Sequence, residues 1–215
     1  MSALENGISF SGLFKQVREG RVRLFVALLL PEALKRGCEA LQKTLRGRLL
    51  DGERRGIRWV APDHIHLTLV FLGWTDPNMI EKIQDTMMTV SSEFHPVDLT
   101  LSGLGVFPSM QRPKIFWVGV TPHEALTAMQ QRLTDEMAAL GFPKECRPYR
   151  PHLTLARIIS GESSDPLRHL INRETDTTTA GDRIADRQVD TLALMQSALH
   201  PEGSMYTARF TSILH

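Results

Sequence analysis

The sequence predicts an α+β fold, and three observations carry that prediction. Apolar runs of strand length alternate with longer stretches whose apolar residues recur at helical spacing. Two of the strands share the word His-Leu-Thr-Leu, 86 positions apart (66 to 152), and each follows a strand and a long helix. Helices that connect neighbouring antiparallel strands define α+β.

Taken in order, residues 1–20 read as an N-terminal extension, a flexible arm, and 21–215 as one domain. Residues 21–30 form the first core strand, stopped by Pro31. A helix is predicted over 31–50, with Pro31 in its first turn and Leu34, Cys38, Leu41, Leu45 and Leu49 on one stripe. A basic stretch from Arg46 to Arg58 is interrupted by glycines and reads as a solvated linker or as a rim that meets a polyanion. A short strand at 57–60 leads through Pro62 and Asp63 into the first motif strand, which Gly73 ends. Asp76-Pro77 starts a second helix with Ile80, Ile83, Met87 and Val90 inward. Strands follow at 95–106 and 114–120. Thr121-Pro122 opens a third helix that Gly141 and Pro143 close. After the second motif strand, Ser163–Pro166 starts a short helix to Asn172, 175–180 is a polar loop, and 189–195 with 206–210 form a closing hairpin through Pro201-Glu202-Gly203.

Composition sets bounds on function. The chain has 215 residues, 42% hydrophobic and 23% charged, with a net charge of +1. That suits a soluble protein able to bury a sizeable core and excludes a global polycation, so anion binding must be local. The apolar run of residues 24–30 is too short for a membrane span, and no signal-peptide pattern precedes it. Cys38 and Cys146 have no metal-type spacing and read as buried or semi-buried thiols of a cytoplasmic protein.

The motif strand His64-Ile65-His66-Leu67-Thr68-Leu69-Val70-Phe71-Leu72-Gly73 alternates faces, which places His64, His66 and Thr68 together and sends Ile65, Leu67 and Leu69 to the core. Pro151-His152-Leu153-Thr154-Leu155-Ala156-Arg157 repeats the arrangement. Two imidazoles and two hydroxyls on facing strands suit phosphate-ester chemistry. One histidine removes a proton from the nucleophile, and the other gives one to the leaving oxygen. Each threonine can donate to a phosphate oxygen. Arg147, Arg150 and Arg157 flank the second motif as candidate cations. By strict alternation Arg150 shares the face of His152, whereas Arg157 needs a strand end or a bend to reach it. His64 and His66 could chelate a metal, but the second motif supplies one histidine and no carboxylate or cysteine completes a set, so neither metal nor cofactor is expected.

These words in this order resemble the two-histidine phosphoesterase superfamily, and within it the bacterial and archaeal RNA 2′,3′-cyclic phosphodiesterases, also called 2′-5′ RNA ligases. The likeness covers roughly residues 21–215. It rests on Arg23-Leu24-Phe25-Val26-Ala27-Leu28, Arg58-Trp59-Val60, the first motif through Gly73, Phe107-Pro108, Trp117-Val118-Gly119-Val120, Arg147 through Arg157, Gln196-Ser197, Gly203 and Tyr206. Tyr149 stands where the family usually carries Phe.

The resemblance implies a bilobal fold, two antiparallel sheets related by a pseudo-twofold, with flanking helices and a central cleft. It implies hydrolysis of an RNA or nucleotide 2′,3′-cyclic phosphate to a 2′-phosphate without metal, with 2′-5′ ligation as the reverse. His66 would be the proton donor and His152 the base. Thr68, Thr154, Arg157 and Arg150 would bind phosphate, and Tyr149 and His64 would lie at the base or rim. The implied partners are RNA ends, tRNA fragments among them, met by a cytoplasmic monomer. Two alternatives stand beside this: a nucleotide- or RNA-binding module without catalysis, and a phosphodiesterase for another cyclic phosphate or a 2′-5′-linked oligonucleotide.

Overall fold

The computed structural model describes residues 20–50, 53–121, 123–159, 167–171, 188–200 and 203–215. The extension up to residue 19, the start of the short helix before 167 and the polar loop at 175–180 lie outside the described residues; 167–171 are helical.

The elements follow in the order β1 (Val22–Leu29), α1 (Glu32–Gly47), β2 (Ile57–Trp59), β3 (His66–Thr75), α2 (Ile80–Ser91), β4 (Val97–Asp98), β5 (Leu101–Phe107), β6 (Ile115–Val120), α3 (Glu124–Ala139), β7 (His152–Ile158), β8 (Gln188–Val189), β9 (Thr191–His200) and β10 (Gly203–Ile213). The main antiparallel sheet runs β10-β9-β1-β3-β7-β6-β5, with β2 also on β7, and β4 pairs β8 separately.

Several elements differ from the sequence reading for local reasons. Pro62–His64 is a 3-10 turn, so His64 ends a turn and does not share a strand with His66. Gly73 does not end β3; its φ of +73° accommodates an irregularity, and the strand runs on to Thr75. The strand expected at 95–106 is broken at Leu99-Thr100, because β4 pairs β8 and β5 pairs β6. His123, not Thr121-Pro122, caps α3, its Nδ1 accepting from the Leu126 N–H at 3.4 Å. Gly141, at φ +94°, supplies the left-handed residue just beyond that helix. Cys38 is buried as expected, but Cys146 is exposed.

The helices α1, α2 and α3 pack on one face of the sheet. Leu34, Cys38 and Leu45 of α1, Ile83, Met87 and Val90 of α2, and Leu126, Met129, Leu133 and Met137 of α3 join Leu24, Val26, Leu28, Leu67, Leu69, Phe116, Val118, Leu153 and Leu155 in one core. Burying a Leu side chain contributes about 1.5–3 kcal/mol. The opposite face carries a smaller cluster of Phe25, Ala27, Ala193 and Met195, with Leu29 and Tyr206 against it.

The duplication is visible in the register. In β1–α1–β3, Leu29 opposes His66 and Ala27 opposes Thr68. In β6–α3–β7, Gly119 opposes His152 and Trp117 opposes Thr154. The two units meet antiparallel at Leu67↔Leu153, so the sheet consists of two related halves joined at the motif strands. Both motif strands also carry an extra residue at the same point. β3 skips Leu69 between its pairs Thr68↔Ala27 and Val70↔Val26. β7 skips Leu155 between Thr154↔Trp117 and Ala156↔Phe116. A β-bulge of this kind bends its strand, and the halves part on either side of the shared pair.

Candidate active site

Each histidine is positioned the same way. Nδ1 of His66 donates to the carbonyl of His64 at 2.8 Å, and Nδ1 of His152 donates to the carbonyl of Arg150 at 2.7 Å. A carbonyl only accepts, so Nδ1 carries the hydrogen and Nε2 is left for chemistry. Pro62–His64 and the segment before β7 thus have one task in common: to present a carbonyl two residues ahead of the histidine.

Aromatic rings fix both imidazoles from the side. Phe25 stacks on His66 at 4.9 Å, and Tyr206 meets it edge-on at 5.1 Å. Phe107 meets His152 edge-on at 4.9 Å, with Trp117 at 6.0 Å. Trp117 lies against Gly105, where an added Cβ would fall 2.2 Å from the indole ring. Phe25, Phe107, Trp117 and Tyr206 stood among the words of the resemblance without a site role; for Phe25 and Trp117, whose strands β1 and β6 pair with the motif strands, that neighbourhood was the signal that could have given them one.

The bulge at Leu155 resolves the place of Arg157. Leu155 and Ala156 are consecutive buried residues, which reverses the alternation, so Arg157 returns to the face of His152 and Thr154. Its Nη2 donates to the Tyr206 hydroxyl at 2.8 Å. The carbonyl at each bulge is met by a glutamine from a helix. Gln42 of α1, 2% exposed, donates to Leu155 O at 2.9 Å and to Val60 O at 2.8 Å. Gln130 of α3 reaches Leu69 O at 3.4 Å. In the other half the position equivalent to Arg157 is Phe71, 64% exposed. One half therefore offers a cation where the other offers a ring.

The remaining expected residues fall as follows. Arg150 is exposed and enters the site through its carbonyl. Arg147 is exposed and paired with Glu145 at 2.6 Å. Tyr149, expected at the rim, packs partly against the main core and donates to Thr68 O at 3.1 Å, bracing that strand. His64 lies edge-on to Tyr206 at 5.8 Å. Among the described residues no three His, Cys, Asp or Glu side chains converge as a metal site.

Burial dominates the electrostatics. It pushes His66 down to about 4, helped by the charges of Arg157, His152 and His64 and opposed by the His64 carbonyl. Burial also lowers His152, against the Arg150 carbonyl. Both rings are therefore neutral in the free protein at neutral pH, and an anion placed between them would favour protonation of either one.

Two anchored imidazoles with free Nε2 atoms, two hydroxyls and a guanidinium tethered to Tyr206 lie on one face, an arrangement able to carry acid–base chemistry on a phosphate ester. The sequence profile of the 2′-5′ RNA ligase superfamily matches residues 30–198, and the chain belongs to that superfamily. It is 30% identical over 189 residues to a protein of Aquifex aeolicus named RNA 2′,3′-cyclic phosphodiesterase, covering 86% of this chain and 94% of that one. A protein of the same name from Methanothermobacter thermautotrophicus is 29% identical over 187 residues, covering 87% and 96%. The fold matches that of TT0787 of Thermus thermophilus, with a TM-score of 0.68 and 24% identity over 89% of this chain and 97% of that one. It also matches Escherichia coli LigT, with a TM-score of 0.62 and 23% identity over 90% and 98%.

Proposed function

We propose that this protein hydrolyses the 2′,3′-cyclic phosphate at the end of RNA, or of a nucleotide, to a 2′-phosphate by general acid–base catalysis. The matched pair of Nδ1-anchored histidines carries this reading, and the relatives named RNA 2′,3′-cyclic phosphodiesterase support it. Nε2 of His152 takes a proton from water as the water oxygen forms its bond to phosphorus. The bond from phosphorus to the ribose 3′ oxygen breaks, and Nε2–H of His66 protonates that oxygen. The products are a 2′-phosphomonoester and a 3′ hydroxyl. Thr68 and Thr154 donate to the non-bridging oxygens, and Arg157 offsets their charge. The phosphate anion also provides what His66 lacks in the free protein, an opposite charge that holds its proton.

With the 5′ hydroxyl of a second RNA in place of water, the same two proton transfers yield a 2′-5′ linkage. The proposed partners are RNA ends, tRNA fragments among them, and the proposed working form is a cytoplasmic monomer. No helix among the described residues is long and apolar enough to cross a membrane.

The test is incubation with an RNA oligonucleotide ending in a 2′,3′-cyclic phosphate, in the presence of a chelator, with analysis of the product end. Conversion to the 2′-phosphate is expected. Tight binding without turnover would make the protein a binding module, and turnover confined to another cyclic phosphate or a 2′-5′-linked oligonucleotide would change the substrate.

A further inference from the structure

The basic stretch between Arg46 and Arg58 splits across the two faces of the fold. Arg46 lies over the Trp59 ring, 4.9 Å from its centroid. Arg54 Nε donates to Leu49 O at 3.2 Å. Arg58 belongs elsewhere. In the β2–β7 ladder Trp59 opposes Ala156 on the core face, so its neighbour Arg58 opposes Arg157 on the face of His66 and His152. Arg58 is exposed, and it forms no ion pair among the described residues.

Like charges directly opposite on antiparallel strands repel each other. Arg157 is held by Tyr206; Arg58, on the strand that pairs with β7 along the edge β3 also uses, brings a second guanidinium beside it. An anion with two separated charges turns that repulsion into attraction. Successive phosphates of one nucleic acid strand are such an anion. The direction also fits. His66 protonates the ribose 3′ oxygen, so the ribose and the chain leading to it lie on the His66 flank. β2 runs through the Pro62–His64 turn directly into His66, which puts Arg58 on that flank.

We infer that Arg58 binds the phosphate on the 5′ side of the terminal nucleotide and thereby makes the protein prefer cyclic-phosphate-ended RNA to the corresponding mononucleotide. The inference rests on the function proposed above and adds the substrate class.

The probes are an RNA trinucleotide ending in a 2′-phosphate and adenosine 2′-phosphate, with affinities measured by calorimetry on the full chain. Wild type should bind the trinucleotide more tightly. Arg58→Ala should lower the trinucleotide-to-mononucleotide affinity ratio about tenfold, the value of one charged hydrogen bond, and Arg58→Lys should restore part of it. The salt dependence of trinucleotide binding should become shallower by about 0.7 in log–log slope, one single-strand phosphate contact. An unchanged ratio in Arg58→Ala, or equal affinity for both probes in wild type, overturns the inference. The same ratio is decisive even if wild type turns over neither cyclic substrate, a result that would instead remove the catalytic reading.

Discussion

Arg157 Nη2 donates to the Tyr206 hydroxyl at 2.8 Å, tying the strand that carries His152 to the closing hairpin beside His66. In the sheet order β9, β1 and β3 lie between the two strands, so the hydrogen bond spans the seam between the halves. Tyr206 also stands edge-on to His66, His64 and Phe25. One phenol therefore orients the cation and walls the imidazole.

Tyr206→Phe keeps the ring and removes the tether. kcat/KM for a cyclic-phosphate oligonucleotide should fall about tenfold, chiefly through KM, as expected for a lost hydrogen bond to a charged group. The melting temperature should move by about 2–4 °C at most. Wild-type kinetics in this variant would show that Arg157 is oriented without the hydroxyl.

Gln42 acts one step further from the chemistry. Its amide nitrogen bridges Val60 O and Leu155 O, the carbonyl at the bulge that turns Arg157 to the active face. Gln42→Met, similar in volume, should destabilise by about 1–3 kcal/mol through carbonyls left short of a donor. If Gln42 positions Arg157, KM should also rise, as it would in Arg157→Ala, while the pH profile keeps its shape. A drop in melting temperature with unaltered KM would confine Gln42 to stability.

The parts that were legible in the sequence are those carried by period and repetition. The two His-x-Thr faces, the helical stripes and the fold class follow from side chains that alternate or recur. The face of Arg157 was not legible, because the bulge at Leu155 is marked by no Gly or Pro in β7. It is sustained by Gln42 from a helix that is distant in sequence. The site role of Tyr206 was hidden for a similar reason, since only long-range pairing brings β10 near His66. The break at Leu99-Thr100 depends on β8, which lies far along the chain.

The pH dependence follows from the depressed histidines. The proposed mechanism requires His66 protonated and His152 neutral, and in the free protein His66 sits at about 4 while His152 lies below its usual value. The competent form is most populated between those values, so kcat/KM should peak below about pH 6.5. Bound phosphate raises His66, so the alkaline limb of kcat should lie at higher pH than that of kcat/KM. Stability has a related sign. Unfolded His66 takes up its proton near 6.5 and the native residue withholds until about 4, so its stabilising contribution is full above 6.5 and lost as pH falls through that window. Profiles of both rate constants, and melting curves of His66→Gln against wild type, check these points; a kcat/KM maximum above 6.5 would contradict the first.

The division of labour between the histidines can be read from the leaving group. The local geometry is near-symmetric, each Nδ1 bound two residues back and each ring flanked by aromatics. His66→Ala and His152→Ala should each lower turnover by about 10²–10⁴-fold with the fold intact. A substrate with sulfur in place of the 3′ oxygen breaks this symmetry. A thiolate, whose conjugate acid has a pKa near about 8.5, leaves with little help from an acid, whereas water still needs a base. If His66 is the acid, His66→Ala should recover much of its lost rate on the sulfur substrate and His152→Ala should stay slow. The opposite pattern would exchange the roles. Equal recovery in both variants would mean that proton transfer does not limit the rate and that the imidazoles act chiefly through charge.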